Sequence, residues 1–236
     1  MADVLLVHGA CHGGWCWRDT IPALQARGHR PRAIDLPGHG ADRTPVAEVT
    51  LDAYADAVLA ASTPDTVVIG HSMGGYAITA AAQKDPSRFG QLIYLCAYVP
   101  VPGKSLAEMR RMAPRQPLLP AVRLAGDGRS FTVDPSLAPG IFYQDCPPEA
   151  LAYALARLCP QAVAPTAAAL DSIDRALTVP RHYIRCRQDG TIPYEFQCEM
   201  TADWPESQVE DMDCGHSPFF ADPDGLARRI DAAIRS

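Results

Sequence analysis

The sequence predicts an α/β protein, a doubly wound and mostly parallel sheet of about six strands flanked by helices, with a cap insertion lying over the sheet. Three observations carry this expectation. Short aliphatic or β-branched runs recur along the 236 residues. Most are continuous rather than alternating, as strands covered on both faces are. Segments of helical character separate them.

In chain order, the strands are read at "VLLV" (4–7), "PRAIDL" (31–36), "TVVIG" (66–70), "QLIYLCAY" (91–98), "PRHYIRC" (180–186) and "SQVEDM" (207–212). Helices are expected over 15–27, 51–61 ("LDAYADAVLAA"), 74–84, 193–201 and 222–235. The proline-rich interval from about Pro100 to Val179 breaks the alternation. It offers one clear helix, near "PPEALAYALARL", and no strand that fits the series. Its apolar content, as in "IFYQ", is too high for a linker. The division expected is therefore a core of 1–99 and 180–236 with a cap of 100–179, one domain overall.

Composition excludes several classes. A hydrophobic content of 47% is enough for one sizeable core. The net charge of -6 and the absence of a basic stripe argue against nucleic acid as a partner. The apolar run Val4 to Val7 is too short for a signal-peptide core, and no run approaches the roughly 20 apolar residues a membrane span needs. A soluble, cytoplasmic protein is expected, with no membrane partner. The eight cysteines form no CxxC pairs, so free buried thiols are expected rather than a zinc site or a disulfide framework. The oligomeric state stays open.

The chemistry centres on Gly70-His71-Ser72-Met73-Gly74, a G-x-S-x-G sequence between an expected strand and an expected helix. A sharp turn there projects the Ser72 hydroxyl above the sheet, and the Met73 N–H opens the helix as an oxyanion donor. A serine hydroxyl needs a base oriented by a third group. Asp189 and His216 follow the last two strands, in the chain order Ser, Asp, His that this arrangement uses. Asp213 is the runner-up acid, since it lies nearer His216 in sequence but would need an awkward loop. The Ala10 N–H, after the first strand, is the natural second oxyanion donor. "GACHGG" lacks the Lys-Ser/Thr ending of a phosphate loop. His8 and His12 are read as packing and hydrogen-bonding groups, and Trp15 and Trp17 as packing the first helix on the sheet. Neither a metal nor a cofactor is expected.

These segments resemble the α/β-hydrolase superfamily at "LVHG", "IDLPGHG", "VIGHSMGG", "RQDGTIP" and "DCGHSPFFADPDGL". "HGACHGGWCW" and "DCPPEALAYALARL" are similar to the subgroup of plant methylesterases, hydroxynitrile lyases and related bacterial esterases. The resemblance implies a serine carboxylesterase. S-selective lyases of that subgroup carry Thr where Gly9 stands and Lys where Ser217 stands, and R-selective ones carry Asn at the Gly9 position. Both departures favour an esterase.

The expected reaction is acyl transfer to Ser72 from a small-molecule ester. Leu118, Phe142 and Tyr143 are candidate lining residues, and the absence of a Lys/Arg cluster in sequence favours a small to medium apolar or aryl ester. The alternatives are hydroxynitrile lyase-like or other non-hydrolytic chemistry on the same fold, and a catalytically silent ligand-binding protein.

Overall fold

The computed structural model describes residues 1–235. β1 (Asp3–Val7) runs through a 3₁₀ turn at Gly14–Trp17 and α1 (Thr20–Gln25) into β2 (Arg30–Ile34). α2 (Leu51–Ala60), capped by the Thr50 hydroxyl accepting from the Ala53 N–H at 3.0 Å, leads to β3 (Thr66–His71). α3 (Gly74–Lys84) and β4 (Phe89–Leu95) complete the first half.

Between β4 and the next core strand the chain builds α4 (Leu106–Met112), β5 (Val122–Leu124), β6 (Ser130–Val133), α5 (Ala138–Phe142), α6 (Pro148–Leu155), β7 (Gln161–Ala162) and α7 (Val163–Ala167). The core resumes with β8 (Arg181–Cys186), α8 (Tyr194–Met200), β9 (Val209–Met212), α9 (Pro218–Ala221) and α10 (Pro223–Arg235).

The core sheet has the order β2-β1-β3-β4-β8-β9, and every neighbouring pair is parallel. Chain order reverses about β1 and β3, so helices cover both faces. Alternate residues of one strand therefore enter different cores. Leu5 and Val7 pack with Val68 and Tyr76 on one side, while Val4 and Leu6 pack with Ile69 and Trp17 on the other. Burial on both faces is why these strands are continuous apolar runs.

Two expectations are corrected. The helix expected over 15–27 is a 3₁₀ turn followed by a six-residue helix. Pro22 stands in the first turn of α1, where a missing N–H costs nothing, and Gly28 at φ +85° lies just beyond its end. The interval 100–179, expected to offer one helix, holds four and a small antiparallel sheet ordered β5-β6-β7. Its strands are two to four residues long, too short to show a period.

Candidate active site

Ser72 sits at φ +54°, the left-handed region that a non-glycine residue occupies only when its surroundings impose it. The neighbouring strand supplies that constraint. The Ser72 N–H donates to the Leu95 carbonyl at 3.2 Å, and the Ser72 carbonyl accepts from the N–H groups of Gly75 (3.2 Å) and Tyr98 (3.1 Å). The turn is tight enough that a Cβ on Gly70 would stand 2.7 Å from the Gly74 carbonyl oxygen. A side chain there would force strand and helix apart.

Asp189 and His216 lie in the loops after β8 and β9, and the His216 Nδ1–H donates to Asp189 Oδ2 at 2.8 Å. The carboxylate is saturated. Its Oδ1 accepts from the Thr191 and Ile192 N–H groups at 2.7 and 2.9 Å, and its Oδ2 also accepts from Gln197 Nε2 at 3.0 Å. Gln197 ties the same spot to β8, accepting from the Cys186 N–H at 2.9 Å. Asp213, the alternative acid, is exposed and accepts from the Gln188 side chain at 2.8 Å. The structure brings Asp189, not Asp213, to the imidazole.

The His216 carbonyl accepts from His71 Nε2 at 2.8 Å and from the Cys96 thiol at 3.6 Å. Burial pushes the His71 imidazolium well below its ordinary pKa, with the nearby His216 adding to the shift, so His71 is neutral. His71, Cys96 and His216 hold donor atoms within 4.8 Å of one another, the closest approach to a metal-ligand set among the described residues. His71 Nε2 and the Cys96 thiol are both turned to the His216 carbonyl, while His71 Nδ1 is buried without a hydrogen-bond partner. Burial also pushes the Cys96 thiol up to about 12, which keeps it protonated.

A cavity of about 400 Å³ opens over Ser72, with Ala10 and Met73 beside it. Neither residue's main-chain N–H has a partner among the described residues. His12 holds the Ala10 segment in place. Its Nδ1–H donates to the Ala10 carbonyl at 2.8 Å and its Nε2 accepts from the Tyr143 hydroxyl at 2.7 Å. Burial lowers the His12 pKa to about 4, which fits this neutral tautomer. His8 is also buried, its Nε2 accepting from the Leu36 N–H at 3.0 Å.

Of the three residues expected to line the cavity, Leu118 does. Phe142 and Tyr143 do not. Both are buried where the cap meets the core, Phe142 stacked on the His216 ring at 5.7 Å and Tyr143 hydrogen-bonded to His12. Their rings fill the seam between cap and core rather than the cavity. The sequence shows no Arg or Lys cluster that marks a site for a charged acid, yet α4 turns Arg110 and Arg111 onto the cavity wall. Trp17 is buried against His71 and Phe219, and Trp15 stacks on His12. All eight cysteines are free.

The pattern of the Alpha/beta hydrolase family matches residues 4–229. The chain belongs to this family. Among proteins similar to this hydrolase is the pyrethroid hydrolase of Sphingobium wenxiniae, 30% identical, with 98% of this chain and 86% of that protein covered. Methylesterase 1 of Arabidopsis thaliana is 30% identical over 94% of this chain and 92% of its own. The crystal structure of a pyrethroid hydrolase from Sphingobium faniae JZ-2 superposes with a TM-score of 0.87 at 29% identity, covering 100% of this chain and 98% of that one. No helix among the described residues is long and apolar enough to cross a membrane.

Proposed function

We propose that this hydrolase is a serine carboxylesterase in which Ser72 is the nucleophile, His216 the general base and acid, and Asp189 the group that orients His216. The observation that carries the proposal is the strained Ser72 turn at the floor of a cavity, on a sheet edge where a buried carboxylate already fixes one nitrogen of an imidazole. With Nδ1 committed to Asp189, Nε2 is the nitrogen left to take a proton. Relatives named as methylesterases support an ester as the substrate.

In the first step Ser72 Oγ attacks the ester carbonyl while His216 Nε2 removes its proton. The N–H groups of Ala10 and Met73 receive the developing oxyanion. Protonated His216, held by the Asp189 carboxylate, gives the proton to the departing alcohol. Water enters, loses a proton to the same nitrogen, and the acid leaves. Four hydrogen bonds hold the Asp189 carboxylate in one orientation, so that it keeps the imidazole aligned through the cycle.

Lyase chemistry on this frame is disfavoured by Ser217, which stands buried beside His216 where an S-selective lyase carries an ammonium. The test is hydrolysis of short-chain 4-nitrophenyl esters beside methyl esters of aromatic acids, with Ser72→Ala as the control. Loss of several orders of magnitude in kcat, with circular dichroism unchanged, is expected. Turnover that survives in Ser72→Ala sinks the acyl-enzyme route.

A further inference from the structure

The wall of the cavity above Ser72 is apolar except on one side. Leu118, Val122 and Phe131 come from the cap, while α4 contributes Leu106, Ala107, Arg110 and Arg111. Those four α4 positions recur at helical spacing and share one face of the helix. The Ser105–Glu108 capping box fixes where α4 begins, with Glu108 accepting from the Ser105 N–H and hydroxyl at 2.8 and 2.7 Å. The only carboxylate on α4 is thereby engaged at its own N-terminus.

Neither arginine is paired. Nearby Arg115 makes a two-pronged bond to Glu195 at 2.7 and 3.0 Å, whereas no carboxylate among the described residues forms an ion pair with Arg110 or Arg111. Arg110 is half-buried, and its Nε is buried with no hydrogen-bond partner in the protein. Its charge is felt by Tyr98, another residue of the same cavity. The wall holds no acidic side chain to balance it. An unpaired guanidinium on an apolar wall is costly unless the occupant brings the missing anion.

Resting on the esterase reading, we propose that the preferred substrate is a monoester of a dicarboxylic acid. Its scissile carbonyl lies at Ser72, its apolar chain fills the cavity, and its far carboxylate is held by Arg110, with Arg111 at the exposed mouth. Hydrolysis consumes one water, breaks the acyl–oxygen bond and releases an alcohol and the free dicarboxylate. Arg110 is a specificity-determining residue that takes no part in the bond changes.

The test compares matched pairs of 4-nitrophenyl esters of six- and eight-carbon acids, one ending in methyl and the other in carboxylate. The readout is the ratio of kcat/KM for the anionic ester to that for the neutral one. In the wild type this ratio exceeds one. It falls roughly 10- to 100-fold in Arg110→Met, and Arg110→Lys keeps part of it. A ratio equal in wild type and Arg110→Met overturns the proposal. Neutral-ester turnover that Ser72→Ala abolishes tests the esterase reading separately. If no ester is turned over, calorimetric binding of suberate to Ser72→Ala, with and without Arg110→Met, decides. Weaker binding to the double variant supports the anion site, and equal binding overturns it.

Discussion

The Asp189 carboxylate and the His216 imidazole meet at 2.8 Å although 27 residues separate them in sequence. The contact exists because β8 and β9 lie side by side in the sheet and both loops leave its carboxyl edge. In Asp189→Asn, the amide oxygen is drawn to the Thr191 and Ile192 N–H groups, which turns the NH₂ toward His216 Nδ1–H. Donor then faces donor. The ring is driven to the other tautomer, which has no free base at Nε2. A fall in kcat of about 10⁴-fold is expected, with the fold retained. A fall of less than tenfold would show that another group orients the imidazole.

Tyr143 lies one contact away from the Ala10 segment. Its hydroxyl bonds His12, and His12 holds the carbonyl of Ala10, so the chain of contacts ends at the residue proposed as an oxyanion donor. Tyr143→Phe leaves His12 Nε2 buried without a donor, at a cost of about 1–3 kcal/mol in stability. It should lower kcat by less than the roughly 100-fold of a deleted donor and leave KM nearly unchanged. Steady-state kinetics on a neutral ester, beside urea denaturation, checks both. A rise in KM without loss of kcat would place Tyr143 in substrate binding instead.

Much of this was legible in the sequence where a residue's environment is set locally. Helices 51–61 and 74–84 were read to within a residue, because turn and cap residues bound them and tertiary packing does not override the pattern. The placement of Ser72, Asp189 and His216 on one sheet edge was legible because each follows the end of a parallel strand. Gln197 was not. A glutamine in a helix carries no sign that its amide will bond Asp189 and β8 at once. Nor did Arg110 announce its direction, since α4 has only seven residues and sits between prolines. Phe142 and Tyr143 looked like pocket walls because aromatic residues serve a cap core and a ligand equally well; only the packing distinguishes them.

Gly9 is set by the space beside Ser72. A Cβ there would stand 2.9 Å from Ser72 Cβ and 2.9 Å from His71 Nδ1, both on a backbone with little room to move. Gly9→Ala is therefore expected to destabilise the fold by about 1–3 kcal/mol through overpacking and to displace the Ser72 side chain, lowering kcat. Thermal denaturation and turnover of the same preparation give the two readouts. Wild-type values for both would mean the Gly9 segment yields without disturbing Ser72.

Buried neutral histidines also give the fold a dependence on mild acid. Burial holds the folded pKa of His12 near 4, and pushes those of His8 and His71 well below the ordinary value. Above about pH 6.5 neither the folded nor the unfolded chain protonates these rings. As pH falls below that, the unfolded chain takes up protons that the folded chain refuses, so stability drops; His12's contribution to the loss is complete near pH 4. At pH 5 His12 alone removes about 2 kcal/mol, and His8 and His71 act in the same direction. Aspartates with lowered pKa values, such as Asp42 and Asp134, lose their contribution only at more acidic pH, so the window from 6.5 to 5 isolates the histidines. Urea denaturation at constant ionic strength should give level stability between pH 8 and 7 and a steep fall by pH 5. A level profile down to pH 5 would mean that these rings bind protons as readily in the fold as in the unfolded chain, and that the hydrogen bonds assigned to neutral His12 are wrong.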